Sequence, residues 1–215
     1  MIVNQENVRG SDLTIGTIYE GGPSLSDEPM HLLLGTANMG GIRPKNTEDG
    51  RTAFIALHST SNVVEWPDTF DGKTGRYTYF GDNKSVDKDL NETPGNKAIQ
   101  RVFKRQFETK IERVQAPPFF VFTSVSGMAP HSVKFEGLAV PGSSSPEIDW
   151  CIAKFHKQKG SKFQNYQFQL TILACRRIRQ EWIKELLAGN PMAENCPEWY
   201  SEWLETGARV PYTHQ

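Results

Sequence analysis

Glu65-Trp-Pro-Asp-Thr-Phe-Asp-Gly-Lys-Thr-Gly-Arg-Tyr-Thr-Tyr-Phe-Gly-Asp-Asn83 is the stretch on which the fold turns. Its second half, Arg76–Phe80, alternates in the manner of a half-buried strand, and Lys73-Thr-Gly75 supplies the turn before it. The first half, Trp66 to Asp71, carries a proline and two acids, so it reads as a loop or broken strand. Five rings (Trp66, Phe70, Tyr77, Tyr79, Phe80) and three aspartates (Asp68, Asp71, Asp82) crowd into it. Strand side chains alternate, so Tyr77 and Tyr79 share one face while Arg76, Thr78 and Phe80 share the other. Core packing of a half-exposed sheet therefore accounts for some of these rings but not for the whole set. Rings and hydrogen-bonding carboxylates at this density suit a pocket for a flat, polar, heteroaromatic group such as a nucleobase. Asp82 lies just beyond the strand in a Gly-Asp-Asn turn. Two roles stay open for it: capping that turn, or accepting from an exocyclic amine at a pocket mouth.

Upstream, Thr52–His58 reads as a strand ending in a polar His-Ser-Thr-Ser-Asn run. Met30–Leu34 is a short apolar run leading into the Gly-rich loop Gly35–Pro44. That loop lacks the lysine and spacing of a phosphate-binding loop, so its glycines are read as permitting close backbone approach. Downstream, Thr93-Pro-Gly closes a charged loop, and a helix is expected from Asn96 to Glu108. Ile99, Val102, Phe103 and Phe107 fall on one of its faces and basic residues on the other. Continuous apolar character makes Phe119–Ser124 a buried strand. Val133–Val140, Asp149–His156 and Asn165–Leu173 are further strands, the last two joined as a hairpin. Arg176–Leu187 is an amphipathic helix and Pro197–Leu204 a last short helix. Six or seven strands, one inserted helix and trailing helices predict an α+β fold on a curved, mostly antiparallel sheet or barrel.

The net charge of −1 removes the argument for DNA binding that a strongly basic domain would supply, but distribution matters more than the sum. Acids gather in 65–92, and Lys and Arg in 97–113, 154–162 and 176–184. No run reaches the length of a membrane span, and the N-terminus lacks a signal-peptide pattern. The expectation is a cytoplasmic protein, with Cys151, Cys175 and Cys196 as reduced thiols and no membrane partner.

Three chemistries compete with a binding pocket. Pro67-Asp68 followed by Glu108-Thr-Lys110 superficially matches a metal-dependent nuclease signature, which needs carboxylates converging on a divalent cation with a lysine near the attacking water. Here Glu108 and Lys110 fall on the polar face of the expected helix. The three cysteines and the histidines His31, His58, His131, His156 and His214 lack zinc-ligand spacing. A Gly-x-Ser-x-Gly nucleophile turn is absent.

The string Trp66-Pro-Asp-x-Phe-Asp-x-x-Thr-Gly-x-Tyr-x-Tyr-Phe-Gly-Asp-Asn-Lys84, followed by Thr93-Pro-Gly-Asn-Lys-Ala-Ile99, resembles the N-terminal DNA-recognition domain of modification-dependent restriction endonucleases of the AspBHI and MspJI kind. That domain is related to SRA domains, readers of 5-methylcytosine. The resemblance is strongest from Gly40 to Phe107. It implies an SRA-like (PUA-like) twisted β-barrel with flanking helices, spanning 1–190, with 191–215 as a helical tail or lead-in to a linker. It implies double-stranded modified DNA as partner and a flipped 5-methylcytosine or 5-hydroxymethylcytosine held in a pocket. By position, Asp82 would bind the base's polar edge, Trp66 and Tyr77 or Tyr79 would sandwich it, and Phe80 would touch the methyl. Arg43, Lys45, Ser59, Thr60, Ser61, Asn62, Asn83 and Lys84 would contact the duplex, with Lys157, Lys159 and Lys162 as further phosphate contacts. No cofactor is expected in this chain; Mg2+ enters only with a nuclease domain or subunit as partner. Two rival readings remain: a small metal-dependent nuclease using Asp68, Glu108 and Lys110, and a β-barrel that binds a small ligand or a protein instead of DNA.

Overall fold

Phe119-Phe-Val-Phe122 is buried along its whole length because its strand runs through the middle of the sheet, with strands on both sides. The computed structural model describes residues 1–60, 66–83, 86, 88–105, 107–143, 150–158 and 161–213. In chain order the strands are β1 (Ile2–Val3), β2 (Leu13–Thr14), β3 (Ile18–Tyr19), β4 (Ile42–Asn46), β5 (Thr52–Ser59), β6 (Thr69–Asp71), β7 (Arg76–Phe80), β8 (Phe119–Ser124), β9 (Val133–Pro141), β10 (Cys151–Gln158), β11 (Ser161–Ile172) and β12 (Arg177–Ile178). The helices are α1 (Pro29–Leu34), α2 (Pro94–Phe103), α3 (Lys110–Val114), α4 (Gln180–Leu187) and α5 (Glu198–Thr206).

The main path of the sheet is β4-β5-β8-β9-β11-β7-β6, antiparallel throughout except for the parallel pair β5–β8. One face of this path carries Phe54, Phe120 and Phe135 and the other carries Phe119 and Phe168, which both meet Phe103; all five strand rings are fully buried. Helices α4 and α5 add Trp182, Tyr200 and Trp203 to the same core. Register keeps the aromatic alternation of β7: Tyr79 lies opposite Phe168 and Tyr77 opposite Leu170, both buried pairs. Thr78 faces the other way, where its hydroxyl donates to Gln169 Oε1 at 3.1 Å.

The structure corrects three expectations. The sheet curls but does not close into a barrel, because its two end strands are poor ladders. β4 contains Pro44, which has no N–H to donate, and β6 is only three residues long. A side chain spans the gap instead: the Tyr79 hydroxyl donates to the Gly41 carbonyl at 2.9 Å, with the His58 carbonyl 3.3 Å away. Second, the helix expected from Asn96 to Glu108 is shorter and starts earlier, and a separate helix that was not expected follows it. α2 ends at Phe103, and α3 starts afresh after Thr109, whose hydroxyl and Glu112 form a reciprocal capping box. Third, the helix expected from Arg176 begins at Gln180. Asp12 draws the preceding residues into a strand by accepting from Arg177 Nε at 2.7 Å and from the Gln180 amide at 2.9 Å.

Candidate functional site

A cavity of about 660 Å³ opens where the two ends of the curled sheet face each other. One side is the Gly40-Gly41-Ile42 entry to β4 and the end of β5 with His58 and Thr60; the other is the end of β7 with Tyr79 to Asn83. Trp66, Asp68 and Phe163 complete the lining. The rings brace one another: Trp66 lies 5.3 Å from Phe80, tilted, and 5.7 Å from Phe163, edge to face. Glycine at 41 is required, since a Cβ there would stand 2.8 Å from the Tyr79 hydroxyl.

Asp68 is the least comfortable group in this lining. Its Oδ1 accepts from the Phe80 amide at 2.8 Å, and Ser59 also hydrogen-bonds it. Burial outweighs both bonds and pushes its pKa up from 3.8 to about 6. A carboxylate offers about four acceptor positions, so two donors leave it room for a ligand donor. Asp68 also lines a cavity of about 410 Å³ on its far side, shared with Ser59, Tyr77, Thr123 and Glu136. His58 is held neutral. Burial first, then the charge of Arg43, then that of His131 bring its pKa down to about 4. Its Nδ1 accepts from Arg43 Nη2 at 3.3 Å, which leaves Nε2 to donate to Ser124 Oγ at 2.9 Å.

The Gly-Asp-Asn turn after β7 is clamped to the start of α2. The Asp82 carboxylate accepts from the Gly95 amide at 3.2 Å and from the Asn96 amide at 3.3 Å, capping a helix whose own Thr93 side chain does not cap it. Asn96 answers by accepting from the Asp82 amide at 3.0 Å and donating to Leu90 O at 2.8 Å. Asn165 of β11 donates to the Gly81 carbonyl at 2.6 Å. A Cβ on Gly81 would collide with the side-chain oxygens of Asn96 and Asn165, and one on Gly95 with Asp82. Gly81-Asp82-Asn83 and Pro94-Gly95-Asn96 are thus two halves of one device that fixes the cavity wall. Asp82→Ala is expected to destabilise the chain by about 1 kcal/mol, the usual loss of a helix cap, measured by urea unfolding.

A family model described as "Restriction endonuclease AspBHI N-terminal" matches residues 13–215. The chain belongs to this family. Among solved structures, the DNA recognition domain of the cytosine modification-dependent restriction endonuclease LpnPI superposes with a TM-score of 0.88 at 29% identity, covering 100% of this chain and 97% of that one. The DNA modification-dependent restriction endonuclease AspBHI gives 0.87 at 29% identity, covering 100% of each chain. The MspJI restriction endonuclease in complex with a 27-mer oligonucleotide gives 0.73 at 21% identity, covering 96% of this chain and 55% of that one, a likeness of fold. No curated protein sequence matches the chain. The α+β fold is therefore that of the AspBHI-type recognition domain. No helix among the described residues is long and apolar enough to cross a membrane.

Within this family member, the structure gathers Trp66, Tyr79, Phe80, Asp82, Asn83 and Thr60 around one cavity. Tyr77 lines the cavity on the far side of Asp68 instead. Several expected duplex contacts turn inward. Arg43 is 4% exposed: it ion-pairs with Glu28 at 3.0 Å and donates to Gly40 O at 2.7 Å and Ala37 O at 3.0 Å. Its planar, multi-donor head satisfies a bend of the Gly-rich loop that has no ladder partners. Ser59 is buried against Asp68 and Tyr77, and Asn83 is buried with its amide donating to Gln164 O at 2.9 Å. Lys45 Nζ donates to Gly35 O at 2.6 Å, and Lys162 lies over the Phe155 ring at 4.0 Å. Ser61, Asn62, Lys84 and Lys159 lie outside the described residues, as does the Lys157 side chain. The nuclease triad does not assemble: Glu108 is exposed, Lys110 pairs with Glu205 at 2.6 Å, and neither lines a cavity that Asp68 lines. Among the described residues no three or more of His, Cys, Asp and Glu cluster as for a metal.

Phe163, His58 and Ile42 also line the cavity and were not expected there, and Asp68, counted among the acids of the aromatic stretch, was given an individual role only in the nuclease reading. Phe163 sits in a hairpin remote in sequence, so pattern alone could not find it. Asp68 carried a usable signal, since it stands two residues from Trp66 and shares with it the segment before an edge strand.

Proposed function

We propose that the chain is a reader of modified cytosine in double-stranded DNA that takes the base, flipped from the duplex, into the cavity lined by Trp66, Tyr79, Phe80 and Asp68. One observation carries this: the cavity joins stacking rings to an under-satisfied carboxylate, and among the described residues no lysine or arginine lines it. Such a site favours a neutral, planar ligand bearing an amine donor, and the N4 amine of cytosine is one. Its volume of about 660 Å³ lies within the usual range of ligand sites. Base–aromatic stacking contributes ~1–3 kcal/mol, comparable to what extracting one base costs.

The roles divide by geometry. Asp68 takes the amine. Asp82, both of whose oxygens already accept backbone amides, positions the wall. Trp66 stacks, and Phe80 with Ile42 offers the apolar contact a 5-methyl group needs. Recognition of this kind requires no metal or other cofactor. The likeness to the recognition domains of LpnPI and AspBHI supports the assignment, as does family membership. A gel-shift series with duplexes carrying cytosine, 5-methylcytosine or 5-hydroxymethylcytosine tests it. Tighter binding to at least one modified duplex, without cleavage in Mg2+, is expected. Equal affinity for all three, or cleavage by this chain, would overturn the reading.

A further inference from the structure

The base cavity is poorly suited to phosphate: its lining includes two carboxylates and, among the described residues, neither lysine nor arginine. A second cleft, of about 470 Å³, has the opposite make-up. Arg51, Arg101 and Arg105 line it, and among the described residues no carboxylate does. It lies between the β4–β5 hairpin, α2, and the segment that follows α4.

The charge here is segregated. α2 contains Lys97 and Arg101 and no acid, and Lys104 and Arg105 follow immediately. Like charges three or four residues apart on a helix repel one another. None of these four cations has a carboxylate partner among the described residues. Arg105 is nonetheless fixed, its Nη1 donating to the Gln115 backbone carbonyl at 3.3 Å and to its side-chain oxygen at 3.0 Å. Arg51 reaches across to Gly189, where a Cβ would stand 2.8 Å from Nη2. The one competing acid is Asp49, which pairs with Arg51 at 2.7 Å in an exposed bridge that a ligand can readily replace. Tyr200, which also lines the cleft, is fully buried, and its hydroxyl has no hydrogen-bond partner among the described residues. With no accessible surface, that hydroxyl is beyond a ligand's reach, so recognition falls to the arginines.

We propose that this cleft binds a phosphate ester, held by Arg101 and Arg105 with Arg51 closing over it. Guanidinium groups match phosphate oxygens in pairs and do so better than ammonium groups. The ester has two possible sources: the backbone of the DNA whose base enters the first cavity, or a free nucleotide. Both sites are built on α2, whose amides at Gly95 and Asn96 hold Asp82 while its other end lines the cleft. The DNA source rests on the reader assignment; the nucleotide source does not.

The test compares the full chain with the exposed double variant Arg101→Ala/Arg105→Ala and with Tyr200→Phe. Titration calorimetry uses inorganic phosphate, deoxyadenosine monophosphate and deoxyadenosine; gel shifts use 5-methylcytosine and unmodified duplexes over a salt series. If the ester belongs to DNA, the double variant weakens both duplexes equally, by roughly tenfold, and lowers the log–log salt slope by about 2, with the modified-to-unmodified ratio unchanged. If it is a free nucleotide, the monophosphate binds and the nucleoside does not. The double variant then loses that binding roughly tenfold while duplex affinity stands. Tyr200→Phe, which removes a hydroxyl that no ligand reaches, leaves that binding unchanged in either case. Indifference of every phosphate-bearing ligand to the double variant overturns the proposal. Should the wild-type chain bind no duplex, the reader assignment falls while the phosphate and nucleotide titrations still judge the cleft.

Discussion

Asp68→Ala is expected to lower affinity for modified duplex by roughly 10- to 100-fold and to erase the preference over unmodified DNA, leaving weak salt-dependent binding. A hydrogen bond from an amine to a buried carboxylate is worth ~1.5–3 kcal/mol, which sets that range. Without it the flipped state is not held, and the contact to the 5-substituent is lost with it. The gel-shift comparison of Asp68→Ala with Asp82→Ala is decisive. The second should keep discrimination while losing stability. If instead Asp82→Ala loses discrimination and Asp68→Ala keeps it, the roles given to the two carboxylates are reversed.

The same residue predicts a pH dependence of definite sign. An amine donates to the ionised carboxylate, and Asp68 ionises with a pKa pushed up to about 6 by burial. Between pH 7 and pH 5 its ionised fraction falls about tenfold, so the modified-to-unmodified affinity ratio should fall by a similar factor. Stability moves oppositely. The raised carboxyl opposes folding once ionised, an opposition absent below the unfolded value near 3.8 and fully present above about 6. The elevation corresponds to roughly 3 kcal/mol at pH 7. Asp68→Asn should therefore flatten the decline in stability between pH 4 and 6, as measured by urea midpoints.

Arg43→Ala is expected to destabilise the chain by about 3–5 kcal/mol, because it strands Glu28 as an unpaired charge in the interior. Both side chains of the pair are nearly inaccessible, at 3% and 4%. The loss should appear as a fall in melting temperature on the order of 10 °C. Replacing both partners together, as Arg43→Met with Glu28→Met, should recover most of it, since no lone charge then remains. Recovery will be incomplete: Arg43 also serves the carbonyls of Ala37 and Gly40, and with them the Gly40–Ile42 wall of the cavity. A fully stable Arg43→Ala chain would mean that this wall does not depend on the buried pair.

Much of this was legible before any coordinates. The alternation of Arg76–Phe80 located a strand beside a cavity, and the continuous run at Phe119 located the central strand, because periodicity reports burial directly. Trp66 and Phe80 were expected to line one pocket, and the structure puts their rings 5.3 Å apart. The alternation could not say which tyrosine lines the cavity, since facing depends on which side of the sheet is covered. Arg43, Ser59 and Asn83 look like surface residues in sequence. Each is buried because a backbone group or charge distant in the chain needs a partner.

What the sequence by itself determined is the inventory: rings and acids concentrated between Trp66 and Asn83, a strand at 76–80, and motifs sufficient to resemble a family. Those are properties of local spacing. Tertiary structure alone decided the different settings of Asp68 and Asp82. The two lie on the same stretch and differ in what other segments bring to them. Asp82 meets the free amides that open α2, which satisfy it. Asp68 meets Ser59 and one amide in a setting too dry for its charge, which leaves it wanting a further donor.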